Sequence, residues 1–296
     1  MGCSHVNQHV CIIRTIPELL HHRYLMHFIA QPSFQAYIDS MQHGGTRQAL
    51  TFSQIRDFQI PLPPLEEQRR IAAILDKADT VRRKRKEAIA LTEELLRSSF
   101  LEMFGDPVTN SRGWKKIKLA DAVDLVNGRA FKPSDWKKKG LPIIRIQNLK
   151  NPDATYNYYD GHFQEKFRVK PGDLLLSWSG QLVSFGVFIW QGTEGVLNQH
   201  IFNVRPRMPF ELEYLEFALA HVVEMCKSKF HGIEMKHLTK EELNTQFVLY
   251  PPIQLQTDFT LKIRHLRSMK TEQHSQQCEL DNFFNSLLQR AFRGEL

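Results

Sequence analysis

The sequence predicts an α+β protein in which a mixed α/β globule is joined to two long helices that pair with each other as a coiled coil. Three observations lead there. Within residues 60–106, a hydrophobic heptad runs from Leu65 to Phe104 with no helix breaker inside it. The same pattern returns at the C-terminus behind the same pair of prolines. Between the two, short apolar runs and helical stretches mix without the regular strand–helix alternation of a parallel sheet.

Pro63-Pro64 stops whatever precedes the first rod, and nothing after Leu65 breaks the helix until Gly105. Ile71, Leu75, Ala78, Arg82, Arg85, Ile89, Thr92, Leu96, Ser99 and Met103 follow in alternating steps of four and three. A repeat of about 3.5 residues keeps one helix stripe against a partner helix. At about 1.5 Å per residue, about 40 residues make a rod roughly 60 Å long, which cannot bury itself. A displacement of about 188 residues supplies the partner. It places Pro63-Pro64 on Pro251-Pro252, Leu65 on Ile253, Gln68 on Gln256 and Phe104 on Phe292. The seam returns as Phe259, Ile263, Leu266, Lys270, Gln273, Gln277, Leu280, Phe284, Leu287 and Ala291. Both seams are apolar at their ends and polar in the middle. The chain therefore reads as a duplicated unit of globule plus rod.

The repeat extends upstream of the rods. Thr51-x-x-Gln54 and Thr239-x-x-Glu242 both read as capping boxes opening a short helix. With a small slip, Asn7-Gln8-His9-Val10 meets Asn198-Gln199-His200-Ile201, and an amphipathic helix follows each, over Glu18–Met41 and Glu211–Phe230. Residues 1–60 thus copy the tail of the region between the rods, and Trp114 to about Gly192 has no counterpart. The expected organisation is a partial first globule at 1–60, a first rod at 61–105, a complete globule at 106–250 and a second rod at 251–296.

Within 1–60, His21, His22 and His27 read as surface or packing residues, Gly44-Gly45 as a loop, and Ile55–Leu62 as a strand running into the prolines. In the complete globule Leu119–Val126 reads as helical, with a turn at Asn127-Gly128. Strands are expected at Leu141–Ile146, Leu174–Trp178, Phe185–Trp190 and Gln199–Val204.

Composition narrows the function. The 296 residues carry a net charge of +7, with a pI near 9.2, a balance that favours polyanionic partners. Cys3, Cys11, Cys226 and Cys278 share no close spacing, which indicates neither a zinc site nor a disulfide framework. No apolar run reaches membrane-spanning length, and Val6 stands where an N-myristoylation signal requires Ser or Thr. A phosphate-binding GxxxxGK[ST] loop and an HExxH motif are absent. Tyr250-Pro251-Pro252-Ile253 lacks the flanking residues of a methyltransferase motif, and its counterpart Leu62-Pro63-Pro64-Leu65 marks the pair as the start of a helix.

Polar side chains concentrate in the loops of the complete globule. Lys132 and Lys137-Lys138-Lys139 surround Trp136; Arg145, Gln147, Asn148 and Lys150 follow a strand; Trp178, Ser179 and Gln181 occupy a glycine loop; Asn198-Gln199-His200 and Lys236-His237 complete the set. Arg, Lys, Asn and Gln read base edges and anchor phosphates. Lys132, Arg145, Gln147, Asn148, Lys150, Gln181, Asn198 and Lys236 are the leading candidates for DNA contact. The same asparagines and glutamines also satisfy turn backbones, and both uses stay open at this point. The run Arg82–Lys86 has three readings: a solvated helix face, a phosphate contact, or a dock for an acidic partner. Arg82 and Arg85 occupy seam positions, which a solvated face does not explain.

The segments IPLPPLEEQRRIAAILDKAD, GWKKIKLADAVDLVNGRAFK, LPIIRIQNLKN, KPGDLLLSWSG, LNQHIFNVRP and LLQRAFRGEL, in that order along nearly the whole chain, resemble the specificity subunit of type I restriction–modification systems. The resemblance implies target-recognition domains that each read half of a split double-stranded DNA target, held apart by helical spacers paired as an antiparallel coiled coil. It implies two methyltransferase subunits docked on the spacers, joined by restriction/translocase subunits, in the cytoplasm. The chain itself would be non-catalytic and bind no metal or cofactor; S-adenosylmethionine, ATP and magnesium would belong to the partners. The departure is the front of the first recognition domain, which would precede residue 1. Two alternatives follow: a homodimer that restores two recognition domains, or a silent gene product serving only as a coiled-coil scaffold.

Overall fold

The computed structural model describes residues 10–41, 50–151, 154–228 and 236–296. The elements begin with α1 (His22–Ile29), α2 (Pro32–Met41), α3 (Phe52–Arg56) and the first rod, α4 (Leu65–Phe104). The middle of the chain holds β1 (Lys115–Lys118), α5 (Leu119–Ala122), β2 (Val123–Asn127), β3 (Leu141–Ile144), α6 (Ile146–Lys150), β4 (Tyr158–Tyr159) and β5 (Arg168–Val169). It continues with β6 (Leu174–Ser177), β7 (Ser179–Gly180), β8 (Gly186–Ile189), β9 (Gly195–Leu197) and β10 (Ile201–Pro206). Last come α7 (Leu212–Lys227), β11 (Lys236–His237), α8 (Lys240–Thr245), β12 (Phe247–Tyr250) and the second rod, α9 (Ile253–Arg293). This is the mixed α/β globule with two long helices that the sequence predicts.

Two compact units form. One joins the described residues up to Glu93 to Met269–Leu296, and the other is the continuous stretch Glu94–Ser268. In each, the start of one rod lies against the end of the other, so the rods run antiparallel. In the first unit Ile71, Ala72 and Leu75 of α4 share a core with Phe284, Leu287, Leu288 and Ala291 of α9, around Tyr24 of α1. In the second, Phe100 and Phe104 of α4 meet Phe259 and Ile263 of α9 around Tyr214 of α7. The seam residues Ile71, Leu75, Ile89, Phe259, Ile263, Leu266, Phe284 and Leu287 are buried, and Leu96 packs half-buried on the core of the second unit.

The polar middle of the seam is paired. Arg82 Nε donates to Asp281 at 2.7 Å, and its guanidinium lies 4.3 Å from the Phe284 ring centroid. Thr92 Oγ1 donates to Gln273 at 3.1 Å, and Lys270 pairs with Glu93 at 2.7 Å. Arg83 pairs with Asp79 along its own helix. The basic run therefore includes a structural residue at Arg82, while Lys84 and Lys86 are exposed.

Both capping boxes form, with Gln54 N donating to Thr51 Oγ1 and Glu242 N to Thr239 Oγ1, each at 3.2 Å. The first corrects the strand expected at Ile55–Leu62, because the cap draws Ile55 into α3 and Phe58 then packs edge-on against Phe34. The single helix expected over Glu18–Met41 is two, since Pro32, which lacks an N–H, begins a fresh helix after Ala30-Gln31. Leu119–Val126 turns from helix to strand at Val123, whose φ of −140° is extended. The alternating residues after it then pair antiparallel with β10. Strand β3 stops at Ile144 because Asn148 accepts the Arg145 N–H and opens α6. Asn7, Gln8, His9, Gly44, Gly45 and Phe230 lie outside the described residues.

Two four-stranded sheets frame the second unit. One is antiparallel in the order β2-β10-β6-β8. The other runs β4-β3-β9-β5, with β3 and β9 parallel. Helix α7 covers the first sheet with Leu215, Leu219, Val222 and Val223.

Candidate nucleic-acid interface

Strand register sorts the loops of the second unit into two ends. Ile201 pairs with Ser177 and Phe202 with Asn127. The segments Asn127–Arg129, Trp178–Gln181 and Asn198–His200 therefore leave the sheet at one end. The second sheet delivers its loop to the same place, because Asn198 N donates to Ile144 O at 3.1 Å just before Arg145. Strand β7 pairs with β11, Gly180 opposite Lys236. Lys150 Nζ donates to the Val183 carbonyl, tying α6 to the loop after Gln181. Arg145, Gln147, Asn148, Lys150, Gln181, Asn198 and the backbone of Lys236 are thus brought together; the Lys236 side chain lies outside what is described. Lys132 is exposed on the loop carrying Trp136, and that ring lies 5.4 Å from the Arg145 guanidinium.

These residues divide by what they offer. Asn148 is fully buried, accepting from Arg145 N at 3.0 Å and donating to Ala154 O at 3.3 Å. Asn198 is also buried and bonds to Gln199 and to the His200 N–H. Both asparagines hold loops and present their amides inward. Gln147, Lys150, Gln181 and Lys132 have exposed side chains. Arg145 is half-buried; one terminal nitrogen donates to Asn157 Oδ1 at 3.1 Å, and its buried Nε has no hydrogen-bond partner among the described residues.

Sequence reasoning passed over Arg129. Its guanidinium donates to the Tyr159 hydroxyl at 2.6 Å and sits 4.5 Å from that ring and 5.1 Å from Phe131. Arg129 bridges to Asn198 because Gly128 allows it: a Cβ at Gly128 would fall 2.1 Å from the Asn198 carbonyl oxygen. The Asn127-Gly128 turn was the available signal, and it marked the bend rather than the cation behind it.

The opposite end of the sheet is also rich in cations, but acids accompany them. Arg168 pairs with Glu165 at 2.6 Å and also with Glu194; these carboxylates, Glu165 first, hold its pKa above the ordinary arginine value. Asp173 accepts from Lys170 N and Asn203 Nδ2. The exposed amides and ammonium groups at the Arg145 end are the better fit to a polyanion.

A second set of residues fastens the globule to the rods and was visible in the sequence only as a correspondence. Gln68 is buried, donates to Pro63 O and Leu19 O at 2.9 and 3.0 Å, and accepts from His21 N at 2.8 Å. Gln256 repeats this, donating to Pro251 O at 2.9 Å and accepting from Glu211 N at 3.2 Å. Each glutamine joins the carbonyl of its proline pair to the N-cap of the docking helix.

Comparison with known proteins matches this arrangement. The specificity subunit of the EcoKI type I restriction enzyme of Escherichia coli (strain K12) is 22% identical over 326 residues, covering 97% of this chain and 68% of the relative. That of EcoBI, from Escherichia coli, is 27% identical over 143 residues, covering 47% of this chain; the match spans only 29% of that subunit's length. The crystal structure of the HsdS subunit from Thermoanaerobacter tengcongensis superposes with a TM-score of 0.53 at 25% identity, covering 97% of this chain and 73% of that one. A family model, the type I restriction modification DNA specificity domain, matches residues 2–91 and 111–262, and the chain belongs to that family.

Proposed function

We propose that this chain is the non-catalytic DNA-specificity subunit of a type I restriction–modification complex. Its second unit reads one half of a bipartite target in double-stranded DNA. The observation that carries this reading is the convergence of Arg145, Gln147, Lys150 and Gln181 at one end of the paired sheets, on loops held by Asn148 and Asn198. Gln147 and Gln181 are suited to base edges, Lys132 and Lys150 to phosphates, and Arg145 to either. Asn148 and Asn198 shape the loops that present them. The outer faces of the rods dock two methyltransferase subunits and, through that assembly, the restriction/translocase subunits, in the cytoplasm. S-adenosylmethionine, ATP and magnesium are bound by those partners.

Co-purification with a methyltransferase subunit, followed by sequencing of methylated DNA from cells expressing the pair, tests the reading. A split motif methylated in step with this chain is expected. Methylation of no defined sequence overturns the specificity role, and methyl transfer by the isolated chain overturns the non-catalytic one. Light scattering of the isolated chain distinguishes a monomer from the homodimer alternative.

A further inference from the structure

The two docking seats are built alike. Tyr24 lies 5.1 Å from the Phe292 ring, and its counterpart Tyr214 lies 4.7 Å from Phe104. Ile71 and Leu75 under α1 correspond to Phe259 and Ile263 under α7, and all four are buried. Gln68 and Gln256 clamp the two N-caps in the same way. Apolar packing and the glutamine clamp therefore give α1 and α7 little reason to prefer their own seats.

Charge does distinguish them, because its polarity is reversed between the seats. In the first unit the docking helix carries the cation and the rod the anion. Arg23 Nε donates to both Asp76 oxygens at 2.9 and 3.0 Å, and His27 Nε2 lies 2.7 Å from Asp76 Oδ1. In the second unit the docking helix carries the anions. Glu213 pairs with Arg264 at 2.5 Å and Glu216 with Arg267 at 2.6 Å. The displacement that aligns the rods puts Arg264 on Asp76 and Arg267 on Asp79, so two consecutive turns of the same rod face are inverted.

We propose that this inversion is an address: it fixes which docking helix sits on which rod, and it bars exchange of seats within a chain or between two copies. With the seats exchanged, Arg23 would meet Arg264, while Glu213 and Glu216 would meet Asp76 and Asp79. Glu213 and Glu216 are the most exacting of these groups, since their side chains are only 8% and 13% exposed on their own seat, and carboxylates so buried need a cation. Like charges placed against each other are a common means of rejecting a wrong partner.

The test makes the polarities equal at the turn of Asp76 and Arg264, leaves the Glu216–Arg267 pair in place, and reads where the helices dock. Arg23→Glu with Asp76→Arg gives the first seat the polarity of the second; Glu213→Arg with Arg264→Glu does the converse; combining all four restores opposite polarities. Each full-length protein is unfolded, refolded and mapped by cross-linking mass spectrometry, with light scattering to count copies. Crossed links between residues 211–216 and the start of the first rod are expected in both double variants. They should exceed the level in the unaltered protein by roughly tenfold, the factor set by about 1.4 kcal/mol of lost discrimination. The quadruple variant should return to the unaltered pattern. Equal crossed links in all four proteins overturn the proposal. Should one double variant fail to refold, the other decides it. Failure of both, with the quadruple variant also unfolded, overturns it as well, since polarity would then be fixed by something other than the facing charge.

Discussion

At the scale of single residues, the buried glutamines and the ion pairs around them set the sharpest expectations. Truncating Gln256 to Ala leaves the Glu211 N–H and the Pro251 carbonyl without their partner in a dry site, which costs about 1–3 kcal/mol; the urea midpoint should fall with no change of slope. Asp76 gives a signed pH response. The Arg23 guanidinium first, and His27 after it, hold its carboxyl below the ordinary 3.8. A carboxylate with a lowered folded pKa stabilises fully above its unfolded value, and that contribution is lost as pH falls from 3.8 toward the lowered value. Glu216 has the opposite sign. Burial raises its pKa above 4.5, against the pull of Arg267. The folded state then holds that proton more tightly, and stability from this group rises as pH falls through the raised value. Asp76→Asn should therefore flatten the acid loss of hydrogen-exchange protection in α1 and leave α7 unchanged. The sequence aligned Gln68 with Gln256 but gave neither a task, because the task depends on a proline carbonyl and a helix N-cap meeting in space.

At the scale of elements, the rods were legible and the sheets only partly so. The heptad spacing of Ile71, Leu75, Phe259 and Ile263 demands a partner helix, and all four are buried. Leu75→Ala, at a site with no exposure, should cost about 2–5 kcal/mol, measured by denaturant unfolding of the full chain. Both rods end on a glycine with φ of +76°, at Gly105 and Gly294. The two differ in surroundings: a Cβ at Gly105 would fall 2.5 Å from Ser111 Oγ, whereas Gly294 has open space. Gly105→Ala should thus lower the melting temperature more than Gly294→Ala, by a margin beyond the shared cost of the left-handed backbone, about 1 kcal/mol. The strands were harder to read. Leu119–Val126 is apolar enough for helix or strand, and the choice at Val123 is made by β10, roughly 80 residues downstream, which no local pattern contains. The loop asparagines posed the same difficulty: Asn148 and Gln147 are neighbours of similar chemistry, and burial alone separates the loop-former from the exposed amide.

At the scale of the whole molecule, the expected behaviour is recognition without catalysis, and salt should separate the two kinds of contact. In the assembled complex, Lys150→Ala should weaken binding to all DNA sequences alike and reduce the salt slope by about 1. Gln147→Ala or Gln181→Ala should instead cost about 1–3 kcal/mol on the methylated motif alone, read by titrating cognate and altered duplexes at several salt concentrations. The chemical class and the duplication were open in the sequence; the bases read are set by side chains on loops whose partners lie on other strands. The division of the chain into a continuous unit and an interrupted one has a temporal side. The core around Tyr214 is drawn entirely from Glu94–Ser268, while Tyr24, Ile71 and Leu75 must wait for Phe284, Leu287 and Leu288 near the far end. On a ribosome the middle of this protein can finish before its beginning does. Pulse-labelled hydrogen exchange during refolding should show α7 and β10 protected ahead of α1, with the earliest-made helix among the last to settle.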